Sequence, residues 1–290
     1  MRHFDLALPH GITLACRAAG TPGAPRVMLL HGFPEAAFVW DGVMALLAPH
    51  ADCVAPNLLG YPGSSAPTDV AAYRPRRLVA DVAAAIAALG GPLDLLVAHD
   101  WGGALAWNLA AAQPGLMKRL LIVNAPHPAT FLRELRESPA QQAASAYMNF
   151  LCRPDAELLL AEDDFARLWP FFGSAAWLTD GLRAQYRAAW SNAGRGLTGP
   201  LNYYRASPLR PPSGPNDSVQ TLLLPDEAVT VQVPTTVLWG EADVALLPGL
   251  LDGLERWVPN LQVQRVADAG HWIVHEQPTR VAGLIRELLT

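Results

Sequence analysis

Charge is scarce in this chain: Asp, Glu, Lys and Arg together make up 16% of its 290 residues, and the formal net charge is −5. No run of Lys or Arg tracks along any segment, so the composition offers no phosphate-binding surface and argues against nucleic acid as a partner. Cysteine is equally sparse. Cys16, Cys53 and Cys152 are odd in number, far apart and without C-x-x-C spacing, which argues against a cysteine metal or redox site and leaves them as small buried hydrophobes. The first residues, Met1 to His10, mix Arg, His and Asp among apolar ones and lack the continuous hydrophobic core and small-residue cleavage site of a secretory leader. The longest apolar stretch, Leu78 to Leu89, is rich in Ala, broken by Asp81 and too short to cross a bilayer. A soluble, cytoplasmic protein with no membrane partner is the expectation.

What the chain does have is apolar bulk. Hydrophobic residues form 51% of it, enough for a core larger than that of one simple domain, so one domain with an insertion, or two domains, is expected. Phe4 to Leu8 and Ile12 to Ala18 flank Pro9-His10-Gly11 and predict an opening hairpin. A continuous apolar run suited to a strand covered on both faces follows at Val27 to Leu30, and similar runs recur at Asp52 to Ala55, Leu93 to Ala98, Leu120 to Val123, Thr235 to Trp239 and Leu261 to Val266. Helical composition lies between and after them at Phe38 to Leu47, Arg76 to Leu89, Trp101 to Ala112 and Arg280 to Leu289. The alternation predicts an α/β fold with a mostly parallel, eight-stranded sheet and helices on both faces. It stops at Asn124. Residues 126–229 are helical and aromatic in pattern and run out through the Pro-rich stretch Ser207 to Pro215. They read as a helical cap inserted over the carboxyl edge of the sheet, where open α/β folds bind ligands. Residues 1–125 and 230–290 then form the core.

One turn in that core has an unusual composition. The strand ending at Ala98 passes almost directly into the helix beginning at Trp101, and the turn Ala98-His99-Asp100-Trp101-Gly102 has the form small-x-acid-x-small. A strand turning straight into a helix strains the residue at the turn, and small neighbours make room for it. A carboxylate there points out at the sheet edge beside a helix N-terminus, which favours its ionised form. Asp before a helix is also among the commonest N-caps, and Asp100 alone does not choose between the two. Gly102-Gly103 argues against a plain cap, because two glycines cost helix propensity unless the backbone must pack closely.

The rest of the chain favours the reactive reading. Asp243 follows a strand in Gly240-Glu241-Ala242-Asp243, and His271 follows the last strand in Asp268-Ala269-Gly270-His271-Trp272. Nucleophile, acid and histidine, each just past a strand and in that order, is the chain order of α/β-hydrolase triads. His31-Gly32-Phe33-Pro34-Glu35 follows the third strand, where the backbone N–H of Phe33, with that of Trp101, can form an oxyanion hole; each such donor is worth roughly 3 kcal/mol in a transition state. The blander reading of this segment, a tight loop built on Gly and Pro, is compatible with that.

The segments His31-Gly32-Phe33-Pro34-Glu35, His99-Asp100-Trp101-Gly102-Gly103, Gly240-x-x-Asp243 and Gly270-His271 resemble those of the soluble epoxide hydrolases, a group related to haloalkane and fluoroacetate dehalogenases. The resemblance runs through nearly the whole chain and departs from the family at Ala98, where glycine is usual. It implies an α/β-hydrolase fold with a cap. An Asp nucleophile fits attack on an sp³ carbon, giving an ester that water can hydrolyse. An epoxide oxygen leaving in that attack needs an acid, and neutral Tyr can donate. Leu201-Asn202-Tyr203-Tyr204-Arg205 and Ser145-Ala146-Tyr147-Met148-Asn149-Phe150 resemble the family's cap segments that bear such tyrosines, which maps the role to Tyr204 and Tyr147.

Within that group, Phe33 stands where many haloalkane dehalogenases have a halide-binding Asn, and Gly102 to Ala106 lacks the arginines that fluoroacetate dehalogenases use for a carboxylate. Trp101 is shared and does not discriminate. The resemblance thus implies an epoxide hydrolase acting on a small apolar epoxide with water as co-substrate, and neither metal nor organic cofactor. A haloalkane dehalogenase and a silent ligand-binding relative are the alternatives, and the oligomeric state, a homodimer included, is left open. Phe33, Trp101, Tyr147 and Tyr204 are expected to touch substrate. Phe131, Phe150, Trp169, Phe171, Phe172 and Trp177 supply further cap aromatics for the pocket or the cap core. His99 is expected to pack beneath the turn, His127 to sit at the cap hinge, His275 and Glu276 to anchor the last helix, and Glu35 to bond the oxyanion loop or a water.

Overall fold

The computed structural model describes residues 1–173, 175–191, 196–214 and 217–290; Pro215, the end of the Pro-rich stretch, lies outside them. Eight strands form one sheet: β1 Arg2–Ala7, β2 Thr13–Gly20, β3 Arg26–Leu30, β4 Asp52–Pro56, β5 Leu95–His99, β6 Leu120–Val123, β7 Thr235–Gly240 and β8 Leu261–Val266, in the order β1-β2-β4-β3-β5-β6-β7-β8. β2 pairs antiparallel with both β1 and β4, and every other pairing is parallel. All residues of β4, β5, β6 and β7 are buried, as strands covered by helices on both faces must be. β8 is an edge strand, and Gln262, Gln264 and Arg265 expose its middle.

The helices divide between the two faces. Asp41–Leu47 (α1) packs with the final helix Pro278–Leu289, and Pro75–Ala88 (α2) packs with Asp100–Ala112 (α3). Sequence and structure differ at element ends. The Phe38 to Leu47 segment is a 3-10 turn, Ala37–Trp40, leading into α1, and Leu93 forms only an isolated bridge to Met117 ahead of β5. Cys16 and Cys53 are buried as expected, whereas Cys152 is only half-buried.

Between β6 and β7 the described residues contain helices and no strand. They begin with Pro128–Glu137 (α4), Pro139–Ala144 (α5), Tyr147–Leu151 (α6), Ala156–Phe165 (α7), Asp180–Ser191 (α8) and Thr198–Ala206 (α9). His127 closes the base of this insertion: its Nε2 is 2.8 Å from the Val229 carbonyl, joining the segment's first residues to its last. Strand order reverses around β3, with β4 on one side and β5 on the other. The loops after β3 and β5 therefore diverge and leave a crevice at the carboxyl edge of the sheet. The insertion covers that crevice.

Candidate active site

Asp100 stands at the crevice. β5 ends at His99, α3 begins at Asp100, and the turn is made by Asp100 itself in the left-handed region, at φ 49°. Such a conformation costs a non-glycine residue about 1–3 kcal/mol and persists only when its surroundings enforce it. They do so through close packing: a Cβ on Gly102 would lie 2.6 Å from the Leu30 carbonyl oxygen, and one on Gly103 would lie 2.2 Å from the Ala125 Cβ. The carboxylate does not cap its own helix. Its Oδ1 accepts the backbone N–H of Phe33 from the β3 loop at 2.7 Å. That contact is not the one an N-cap makes, which bonds to the first turn of its own helix.

His271 lies on the other side of the carboxylate. Its Nε2 is 3.8 Å from Asp100 Oδ2, and its Nδ1 is 2.7 Å from Asp243 Oδ2. Asp243 is buried, and its Oδ1 accepts the N–H groups of Ala245 and Leu246, each at 2.9 Å. Asn124 completes the cage. Its Nδ2 donates to Asp243 Oδ2 at 2.8 Å, and its Oδ1 accepts the Gly240 N–H at 2.8 Å. Burial opposes charge on His271, but the Asp243 carboxylate, its hydrogen bond and the Asp100 charge outweigh burial and raise the imidazole to about 9. For Asp243 burial likewise favours the neutral acid, and the His271 charge and hydrogen bond overcome it, holding the carboxyl below its ordinary value.

Two cavities meet at Asp100. One, of about 230 Å³, is mainly apolar and runs along α3 beneath the insertion, lined by Leu78, Trp101, Leu105, Phe131, Met148 and Leu209 among others. The second, of about 340 Å³, lies on the His271 side between Phe33, Phe171, Phe172, Val244 and Trp272. Asp100, Tyr147 and Tyr204 line both. Tyr147 and Tyr204 stand together, ring centroids 6.2 Å apart, and Tyr204 packs edge-on against Phe33 and Trp101. Burial, reinforced by the Asp100 charge, lifts both phenols above their ordinary value, so they stay protonated donors at neutral pH.

The structure thus gathers Asp100, His271, Asp243, Tyr147, Tyr204, Phe33 and Trp101 around one centre. Among the described residues the Asp100 carboxylate accepts a backbone hydrogen bond from Phe33 and none from Trp101, which stands in the first turn of α3. Of the aromatics in residues 126–229, Phe131, Phe171 and Phe172 line the cavities, while Trp177 stacks on His275 and Trp169 belongs to a cluster with Phe172, Tyr186 and Trp190.

Three neighbours behave differently from expectation. Glu35 turns its side chain into the core, accepting from Tyr186 at 2.8 Å and lying 2.7 Å from His275 Nε2. His275 therefore fixes Glu35 rather than the last helix. Glu276 Oε2 accepts the Gly270 N–H at 2.7 Å and so braces the His271 loop. Burial penalises the Glu35 charge, but His275 and His99 more than compensate and hold the carboxyl well below the usual range. His99 does lie beneath the turn, its Nε2 2.9 Å from the His271 carbonyl. The residue that sequence reasoning missed is Asn124. The sequence marked it only as the point where the strand and helix alternation stops, yet its amide holds Asp243; its place at the end of a strand was the available signal.

Known proteins share this fold. A family model described as the alpha/beta hydrolase fold matches residues 25–278. The chain is 34% identical to the AB hydrolase superfamily protein YfhM of Bacillus subtilis, over 97% of this chain and 95% of that one. It is 32% identical to Epoxide hydrolase 4 of Mus musculus, over 92% of this chain and 74% of that one. Among solved structures, one of the novel epoxide hydrolases from metagenomes of hot environments superimposes with a TM-score of 0.89 at 34% identity, covering 100% of this chain and 99% of that one. The Bacillus megaterium epoxide hydrolase in complex with an inhibitor gives 0.88 at 29% identity, covering 99% of each chain. The fold and the site define an α/β-hydrolase. The chain belongs to that superfamily and, within it, to the epoxide hydrolases.

Proposed function

We propose that the chain opens epoxides to vicinal diols through a covalent ester on Asp100, with residues 126–229 as the cap and residues 1–125 and 230–290 as the core. Tyr147 and Tyr204 hydrogen-bond the ring oxygen while Asp100 Oδ2 attacks a ring carbon from the opposite side. The C–O bond of the ring breaks, a tyrosine proton goes to the leaving alkoxide, and a hydroxyalkyl ester forms. His271 then takes a proton from water, which adds to the Asp100 carbonyl carbon. The negative oxygen that develops is Oδ1, the atom the Phe33 N–H already holds at 2.7 Å. Collapse breaks the bond from Cγ to the ester oxygen, which takes the proton of the newly added hydroxyl and leaves as the diol; the carboxylate returns with one oxygen from water, and the proton held by His271 goes back to the tyrosinate.

The observation that carries this reading is the meeting of both cavities, among the described residues, at Asp100, Tyr147 and Tyr204. It supports a substrate whose reacting ring sits between nucleophile and acid with a substituent directed along α3. An apolar cavity of about 150 Å³ suffices for a benzene ring, so the 230 Å³ arm accommodates an aryl group with a short linker. The charge on His271 supports the order of events. Asp100 is among the groups that raise the imidazole, and esterification removes that charge, leaving His271 readier to act as a base once the ester exists. Water is the second substrate, and the enzyme works free of membranes in the cytoplasm.

The alternative, halide release from haloalkanes, has less support, because Phe33 presents a phenyl ring where an amide donor would be needed. The test is product analysis of purified enzyme on a phenyl glycidyl ether and on 1-bromobutane, beside Asp100→Ala. Diol from the ether and no bromide from the bromoalkane are expected, with diol formation lost in the variant. Bromide release without diol would reverse the assignment.

A further inference from the structure

The loop that carries the Phe33 N–H is held from two directions. From the core, Glu35 lies against His275 at 2.7 Å and has its Oε2 3.3 Å from His99 Nδ1. From the cap, two residues one turn apart on α8 reach the same loop: Tyr186 donates its hydroxyl to Glu35 Oε1 at 2.8 Å, and Trp190 donates its indole N–H to the Pro34 carbonyl at 2.7 Å. Spacing of i and i+4 puts the two on one helix face, so a single rigid element makes both bonds. Both side chains are buried, and Trp190 is boxed by Phe165, Trp169 and Phe172 with ring centroids 5.4, 4.6 and 6.2 Å away. The indole has no freedom to follow the loop if the loop drifts.

We infer that Tyr186 and Trp190 are positioning residues through which the cap sets the Phe33 N–H on Asp100 Oδ1. The cap then completes the oxyanion hole as well as covering the cavity. The chemistry separates this from mere packing, because the two half-reactions load Oδ1 oppositely. During alkylation the carboxylate loses charge as it becomes an ester, and a slightly displaced donor matters little. During hydrolysis full negative charge builds on Oδ1, and the same displacement removes stabilisation where it is needed.

The inference rests on the covalent reading, and one rapid-quench experiment addresses both, with ester on the intact enzyme followed by mass spectrometry. Trp190→Phe and Tyr186→Phe each delete a donor while keeping a ring. Each is expected to slow ester hydrolysis about tenfold, a fraction of the loss when an oxyanion donor is deleted outright, and to change alkylation by less than about twofold. Ester then accumulates in the steady state, and kcat and KM fall together. Gln185→Ala alters an exposed residue of α8 that makes neither bond and is expected to leave the ester level unchanged. Equal slowing of both half-reactions, no slowing of either, or the same accumulation in Gln185→Ala would overturn the inference. Absence of ester from the wild type and from His271→Gln would instead overturn the covalent reading beneath it.

Discussion

Gly32 offers the sharpest steric test of the site. A Cβ at this position would stand 2.1 Å from Asp100 Oδ1, 2.4 Å from its Cβ and 2.6 Å from its Cγ. Real contacts of this kind essentially never close below 3.0 Å, so Gly32→Ala forces the loop and the carboxylate apart by about 0.9 Å in a densely packed site. The Phe33 N–H bond to Oδ1, at 2.7 Å in the native enzyme, stretches to about 3.6 Å, where no hydrogen bond survives. Losing one oxyanion donor costs about 10²–10³ in kcat, and misplacing a reacting group by 1 Å costs about 10². Both describe the same displacement and do not multiply, so kcat is expected to fall about 10²–10³-fold. Overpacking costs about 1–3 kcal/mol, which leaves a folded protein. Gly42→Ala, where nothing lies within 4 Å of the new methyl, is the matched control and should keep full activity. Diol formation measured beside thermal unfolding decides the matter: a folded Gly32→Ala enzyme retaining more than a tenth of wild-type kcat would refute the geometry.

Asn124→Ala strips a donor from Asp243 and an acceptor from the Gly240 N–H, two buried groups whose loss of a partner costs about 1–3 kcal/mol each. A Tm lowered by about 5–10 °C is expected by calorimetry, and an unchanged Tm would count against the cage. Tyr204→Phe and Tyr147→Phe should each slow alkylation by about 10², with the double variant forming no ester in a quench experiment; a fully active double variant would remove the tyrosines as acids. The His271–Asp243 pair fixes a pH dependence. The imidazole is raised from 6.5 to about 9, so its contribution to stability, on the order of 3 kcal/mol, is complete below pH 6.5 and lost as the pH rises through 9. The lowered Asp243 contributes in the opposite sense, present above its ordinary value of 3.8 and lost as the pH falls below it. Thermal unfolding scanned from pH 6 to 10 should show the alkaline loss in the wild type and not in His271→Gln; parallel curves would exclude the charged pair.

The fold and the gathering of the candidate site residues were legible in the sequence for a physical reason. Strands buried on both faces must be continuously apolar, and a strand-to-helix turn with no loop demands small neighbours, so β5, α3 and the strained Asp100 left a local pattern. The triad partners sit at strand ends, where chain order alone locates them. What stayed hidden depends on contacts between distant segments. Nothing around Tyr186 or Trp190 shows that one α8 face meets a loop some 150 residues earlier, at |i−j| 151 and 156. Glu35 was expected to bond the oxyanion loop or a water, and its burial comes from His99, His275 and Tyr186 closing over it. The aromatics of residues 126–229 divide between cavity lining and cap core by tertiary packing, which composition does not reveal.

The central claim, attack by Asp100 on carbon followed by hydrolysis at its carboxyl carbon, is tested most directly by oxygen tracing. Enzyme in molar excess over an aryl epoxide is taken through a single turnover in ¹⁸O-labelled water, and both the diol and the peptide containing Asp100 are weighed. The diol should emerge unlabelled, its new oxygen drawn from Asp100, with one ¹⁸O left in that peptide. Label in the first-turnover diol and none on Asp100 would mean that water attacks the epoxide directly, and the covalent account would be wrong.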